Sequence, residues 1–142
     1  MNILGFNFTK ISAEKSVKLE NVQIKTNISF EDPKKEDTKL LKDQEIVKFP
    51  FSYEIKYDSE DPKTKKVETK AVISFKGLIL LSGTKEETKD LIKNWNSKES
   101  NSDQKVGIIN TIIHKSTIKA LALEEELDLP SHVNLPTIKL SK

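Results

Sequence analysis

The sequence has 142 residues, 35% of them hydrophobic, and a formal net charge of +2. This length favours one domain over residues 1–142, and the absence of cysteine excludes disulfides and thiolate metal sites. All 24 basic residues are lysine, and a chain without arginine's bidentate guanidinium is a poor candidate for sequence-specific nucleic-acid recognition. No apolar run reaches the length of a transmembrane helix. We therefore expect a cytoplasmic protein that partners neither nucleic acid nor a membrane.

Alternation of apolar and polar residues predicts four antiparallel strands in the first part of the chain. Their expected bounds are residues 3–13, 21–31, 46–57 and 66–82. In the first strand the apolar parity changes between Phe8 and Ile11, so a bulge is expected near Thr9. In the third strand Pro50 lacks an amide donor, which predicts an edge strand or a bulge at that position.

The last two strands also carry apolar residues on the face that should point away from the core. These are Ile46 and Pro50 in the third strand, and Leu78 and Leu80 in the fourth. A sheet covered by helices on one side normally keeps its other side polar. The apolar end therefore predicts either a subunit interface or a surface that holds apolar ligands. Gly77 lies beside it and is expected to help the strand end and turn.

Two helices are predicted next, over residues 84–96 and 103–128. Thr84 and Glu87 form a capping box at the start of the first, and Trp95 near its end is either a core residue or a ligand-contacting aromatic. The second helix is long and carries an apolar seam with spacings of three and four. The seam consists of Val106, Ile109, Ile113, Ser116, Ala120, Leu123 and Leu127, and it is widened by Ile108, Ile112, Leu121 and Ala122. Its width and length predict contact with more than one neighbour, including another subunit.

The sequence ends in an apolar segment that prolines keep out of the helix. Pro130 should end the long helix, and Pro136 should keep the following residues extended. The apolar side chains of this segment are Leu129, Val133, Leu135, Ile138 and Leu140. We expect residues 129–140 to form an extended strap packed on the long helix or on its partner sheet.

No pattern of catalytic or cofactor-binding residues emerges. Ser-x-x-Lys occurs at four places, but the companion motifs of the hydrolases that use it are missing. His114 and His132 are the only histidines, and no carboxylate spacing around them resembles a metal site. Residues 124–126 are three glutamates at a helix end that disfavours anions; either neighbouring lysines neutralise them or they form an acidic docking patch. We expect no enzyme activity, no cofactor and no metal.

The order of these elements, together with two segments, resembles the SecB-like chaperone family, particularly its small archaeal-type members. The segments are the strand end Phe75–Gly83 and the proline-containing run Leu129–Pro136. The resemblance implies an α+β fold in which a four-stranded antiparallel sheet is followed by a short and a long helix. It also implies a homo-oligomer, a dimer or tetramer, that holds unfolded polypeptides without ATP and supports protein transport.

On that interpretation the expected client-binding residues are Leu78, Leu80, Trp95, Val133 and Leu135. The alternative is a non-chaperone adaptor or scaffold that binds one folded partner through the same surfaces. One feature departs from the family. Members that pass clients to the secretory motor present an acidic sheet face, whereas the corresponding positions here, such as Lys48, Lys56 and Lys76, lean basic. Docking to that motor is therefore not expected.

Overall fold

The computed structural model describes residues 2–16, 19–36, 43–95 and 103–137. Its strands are β1 (Asn2–Lys15), β2 (Val22–Phe30), β3 (Lys34–Glu36), β4 (Glu45–Glu60) and β5 (Val67–Gly83), and its helices are α1 (Lys85–Asn94) and α2 (Asp103–Glu126). All strand pairs are antiparallel, in the order β1-β5-β4-β2, and the short β3 also pairs with β4. The predicted α+β class, the four long strands and the two helices are confirmed, whereas β3 was not predicted.

The core lies on one face of the sheet. Odd-numbered residues of the two central strands are almost fully buried there: Val47, Phe49, Phe51, Tyr53, Ile55 and Tyr57 in β4, and Ala71, Ile73, Phe75, Ile79 and Leu81 in β5. Both helices pack on this inner face, since Leu91 of α1 and Ile112 of α2 join the same buried cluster. In the described part of the chain no element packs on the opposite, outer face, whose even-numbered residues stay partly or fully exposed apart from Asp58 and Ser82.

The bulge expected near Thr9 is confirmed. The register between β1 and β5 shifts between Phe8 and Lys10, so Thr9 is the extra residue. The bulge returns the apolar residues to the inner face, where Phe8 is opposite Gly77 and Ile11 is opposite Phe75.

Pro50 shows that a central strand can tolerate proline where its neighbour is interrupted. β4 is not an edge strand and has no bulge at Pro50, so that prediction was wrong. Pro50 instead faces the gap between β2 and β3, and its carbonyl oxygen accepts a hydrogen bond from the Glu31 backbone N–H at 3.1 Å. The missing amide donor therefore costs no ladder hydrogen bond.

Gly77 has a packing role rather than the predicted role in ending the strand. It lies within β5, and a Cβ atom placed there would approach Phe51 Cζ to 2.5 Å and the Asn7 carbonyl oxygen to 2.6 Å. The ring of Phe51 thus occupies the space that any other side chain would need. Phe6 and Phe8 pack around the same ring, with centroids 5.2 and 6.3 Å from it.

The buried stripe of α2 differs from the predicted seam. Residues at every fourth position are buried, namely Ile108, Ile112, Ser116, Ala120 and Glu124. Val106 of the predicted seam is 51% exposed, and Ile109, Ile113, Leu123 and Leu127 are only partly buried. Ser116 and Ala120 of the predicted seam are in the buried stripe, as are Ile108 and Ile112, which were expected to widen it. The other members of the seam are less buried, and the stripe ends on the charged Glu124, which a pattern of apolar residues does not select.

We expect Gly77→Ala to lower the free energy of unfolding by about 1–3 kcal/mol, because the added methyl group overpacks the Phe51 contact. Gly107→Ala is the matched control: no atom lies within 4 Å of its added Cβ, and alanine in a helix interior should raise stability by about 0.5–1 kcal/mol. Urea unfolding followed by circular dichroism measures both. Equal effects of the two variants would contradict the role assigned to Phe51.

Candidate functional site

β1 leaves one edge of the sheet open. It pairs with β5 along its length, and none of the other described strands pairs with its second edge. Large apolar side chains are exposed along it: Ile3 is 45% exposed, Leu4 51% and Ile11 44%. An open strand edge with apolar side chains is a template for adding another extended chain, because its unpaired N–H and C=O groups need partners.

A groove adjoins this edge on the inner face, between β1 and α2. Its cavity of about 260 Å³ is lined by Ile3, Leu81, Gln104, Gly107, Ile108 and Thr111, and we call it the edge groove. Further along β1, the Lys115 ammonium lies 5.4 Å from the centroid of the Phe6 ring, so a lysine covers part of the apolar wall. The cavity has room for one or two apolar side chains, and it is smaller than the usual pocket of an organic cofactor.

A second apolar surface lies on the outer face of the sheet. We call it the outer patch and define it by Ile46, Pro50, Leu78 and Leu80, all partly exposed. The strand register brings them together, because Leu78 is opposite Pro50 and Leu80 lies beside it one step along β5. The even-numbered positions of the two strands predicted this patch from the sequence.

The C-terminal segment is held by a buried polar cluster formed by Tyr53, Tyr57, Glu124 and His132. The Glu124 side chain accepts hydrogen bonds from the Tyr57 hydroxyl and, at 2.8 Å, from the His132 backbone N–H. His132 Nδ1 lies 2.8 Å from Glu124 Oε1, and its Nε2 lies 3.0 Å from the Tyr53 hydroxyl. These contacts fit an Nδ1–H tautomer that donates to Glu124 and accepts from Tyr53.

This cluster corrects two expectations about the end of the chain. Neither neighbouring lysines nor an acidic patch explains Glu124, which is only 2% exposed and whose carboxylate accepts hydrogen bonds from the Tyr57 hydroxyl and the His132 backbone N–H. Packing of the strap is confirmed at Leu129, which is buried, but the segment is not extended as predicted, because the chain bends at His132 and Val133 and the Ser131 hydroxyl donates to the Val133 carbonyl oxygen. Leu135 is 51% exposed, however, and residues 138–140 lie outside the described part. Polar contacts, more than the predicted apolar ones, fix the segment.

The end of α2 positions this cluster. Asp128 has a left-handed φ of 53°, and the Leu129 N–H bonds to the Glu124 carbonyl at 2.8 Å, which forms a Schellman-type cap. The Lys15 ammonium donates to the Leu127 carbonyl oxygen at 2.6 Å. A cation at this position offsets the unfavourable anions in the last turns, and it connects the end of β1 to the end of α2.

The five residues predicted to bind clients do not form one site. Leu78 and Leu80 share the outer patch, while Val133 and Leu135 lie on the C-terminal segment. Trp95 is 5% exposed and packs against Phe49 at a centroid distance of 4.6 Å, so the structure favours the core alternative for it. The sequence did not predict the edge groove, because its residues come from three distant segments. The apolar residues of the first strand were the one sequence feature that pointed to it.

Within the described ranges no three histidine, cysteine, aspartate or glutamate side chains are grouped to hold a metal ion. No helix in the same ranges is long and apolar enough to span a membrane.

No protein-family model matches the sequence, and no curated protein matches it significantly. Among solved structures, the chain is similar to the Mycobacterium tuberculosis SecB-like chaperone Rv1957, which was determined in complex with a ChAD peptide from the Rv1956 HigA1 antitoxin. The similarity covers 99% of this chain and 92% of that chain, at 11% sequence identity and a TM-score of 0.45. A sequence identity of 11% and a TM-score of 0.45 do not establish a shared function.

The tyrosines provide a direct test of the polar cluster, because Tyr53 and Tyr57 are the only two in the chain. Burial is the main cause that raises the pKa of Tyr57, and its hydrogen bond to Glu124 adds to it. Burial likewise raises the pKa of Tyr53. In the unfolded chain both should ionise near a pKa of about 10. Their contribution to stability is therefore complete below about pH 10 and is lost as the pH rises further.

We expect tyrosinate absorbance to appear in an alkaline titration only together with the loss of circular dichroism. Tyr57→Phe should lower the free energy of unfolding at neutral pH by about 1–3 kcal/mol, because the buried Glu124 carboxylate loses a donor. Above pH 10 the free energy of unfolding should fall less steeply with pH in this variant than in the unmodified chain. Lysine titration is the same in both chains, so the difference reports the tyrosine alone. Tyrosinate formation in a chain that keeps its structure would show that the cluster is open to water.

Proposed function

We propose that this protein is an ATP-independent chaperone of the SecB-like type that holds unfolded polypeptides in the cytoplasm. The observation that carries the proposal is the open edge of β1 beside the edge groove. An extended client would add to β1 by main-chain hydrogen bonds, and its alternate side chains would enter the groove. Such binding needs no nucleotide, since its driving force is burial of apolar surface.

The geometry favours extended segments over folded partners. Main-chain pairing is independent of the client's sequence, and a groove of about 260 Å³ accepts a variety of apolar side chains. Ile3 and Ile11 are the exposed side chains of β1 that an added strand would cover on the inner face. These properties suit a protein that holds many clients, whereas an adaptor for one folded partner would need a shape-specific surface.

Leu78 and Leu80 on the outer patch, and Val133 and Leu135 on the C-terminal segment, are proposed as secondary client contacts. They lie apart from the edge groove, so a long unfolded chain would reach them with other segments. We further propose a homo-oligomer, a dimer or tetramer, because α2 leaves Val106 51% exposed and Ile109 and Ile113 partly exposed, so a second copy can pack on this helix without occupying the edge of β1. Light scattering that gives the solution mass tests this part separately.

The chaperone proposal is tested by the aggregation of several unrelated denatured enzymes without nucleotide. The unmodified protein should suppress aggregation of all of them near stoichiometric amounts. Ile3→Lys and Ile11→Lys should each require on the order of fivefold more protein, because each removes roughly 1 kcal/mol of apolar contact and places a charge on the edge.

Ile118→Lys is the matched control. Ile118 is 71% exposed on α2, so its replacement makes the same chemical change away from the strand edge and should leave suppression unaltered. Leu80→Ser and Leu135→Ser report on the two secondary contacts. Suppression of no client, or suppression that Ile3→Lys and Ile11→Lys leave unchanged, would refute the proposal and favour the adaptor alternative.

A further inference from the structure

We propose that the outer patch binds an acidic, apolar segment of a partner polypeptide. Its four residues, Ile46, Pro50, Leu78 and Leu80, lie on the face of the sheet that has no element packed on it in the described part of the chain. This inference deepens one part of the proposed function, the secondary contact at Leu78 and Leu80, by giving the chemistry of what is bound there.

The register of the strands places two pairs of lysines next to the patch. In one cross-strand row Lys34 is opposite Lys48, and Lys48 is opposite Leu80. In the next row Pro50 is opposite Leu78, and in the row after that Lys10 is opposite Lys76. Two pairs of lysines therefore lie on either side of an apolar row, about 14 Å apart along the strands.

These lysines are not neutralised by the residues that the structure describes. None of the four has an ion-pair partner within the described ranges, although other lysines of the sheet do, such as Lys56 with Glu54 at 3.4 Å. Two carboxylates lie close to the patch: Glu31, whose backbone N–H bonds to the Pro50 carbonyl oxygen, and Glu36, which is opposite Ile46. The three rows thus carry four lysines against the single carboxylate of Glu31. Unpaired cations around an apolar surface attract a ligand that brings both carboxylates and apolar side chains.

The size of the charged area favours a peptide over an extended anionic surface. Beyond the three rows the outer face carries Glu14 and Glu36, and Glu54 and Asp58 form ion pairs there with Lys56 and Lys25. The outer face therefore offers no continuous positive surface for a membrane or a nucleic-acid backbone laid across the sheet. The outer positions of the three rows also carry no aromatic side chain on which a base could stack. The fitting ligand is short, with leucine-like residues between carboxylates spaced about 14 Å apart, as at positions i and i+4 of an extended chain.

The test uses a pair of labelled peptides in which leucines alternate with serines and are flanked by glutamates in one peptide and by lysines in the other. Fluorescence anisotropy should show that the full chain binds the glutamate peptide and not the lysine peptide. Binding should weaken as salt is raised, because the lysines are exposed. The double variant Lys48→Glu/Lys76→Glu should weaken it by about tenfold or more.

Two control variants show whether peptide binding depends on the lysines of the outer patch. Lys89→Glu changes an exposed lysine of α1, on the other side of the sheet, and should leave peptide binding unchanged. Ile3→Lys, which places a charge in the edge groove, should also leave it unchanged, so failure of the chaperone proposal and failure of this one give different results. Circular dichroism confirms that each variant is folded.

Equal binding of the two peptides, or binding of neither, would overturn the proposal. So would a chain that is dimeric in solution and that Lys48→Glu/Lys76→Glu converts to monomers, since the patch would then be a subunit interface. A third result would also overturn the proposal. If the chain sediments with vesicles of anionic lipid, the double variant does not, and the glutamate peptide fails to bind, the surface is a membrane-binding one.

Discussion

The pairing of β4 with β5 is the interaction on which the rest of the structure depends. It runs from Glu45–Gly83 at one end to Glu60–Val67 at the other, and each remaining strand is attached to one side of this pair. The inner faces of the two strands bury a continuous row of aromatic and branched side chains, so the helices and the C-terminal segment have one surface on which to pack. Among the residues that the structure describes this coverage is on one side only, so the outer face and the far edge of β1 are exposed there.

Much of this arrangement follows from the sequence. Period-two alternation predicted the strands to within three residues at either end, and the parity change at Thr9 located a bulge. The features that the sequence did not predict depend on contacts between residues that are distant along the chain. Gly77 is required by a ring of β4, Pro50 is tolerated because the neighbouring strand is interrupted, and the buried stripe of α2 ends on Glu124, which bonds to Tyr57 and His132. A pattern of apolar residues carries no information about such contacts.

Glu124 illustrates why the candidate site was harder to predict than the fold. A glutamate in the last turns of a helix normally faces water, and burial of its charge is costly unless every oxygen is satisfied. Here a tyrosine from β4 and both the backbone and side chain of His132 satisfy it. The carboxylate thus requires the chain to turn back after Pro130, and the direction of the C-terminal segment is a consequence of one buried charge. The apolar residues that suggested a strap are less important than this anchor.

The two open surfaces differ in the selectivity that their chemistry allows. The edge groove offers main-chain hydrogen bonds and a small apolar cavity, which most extended segments can use. The outer patch adds four lysines without partners in the described chain, and these discriminate by charge. A sheet is roughly 10 Å thick with its side chains, so about three extended residues are enough to pass from one surface to the other over β1. A client that occupies both would bind its second segment at a high effective concentration. The selective surface would then determine which polypeptides the unselective groove retains.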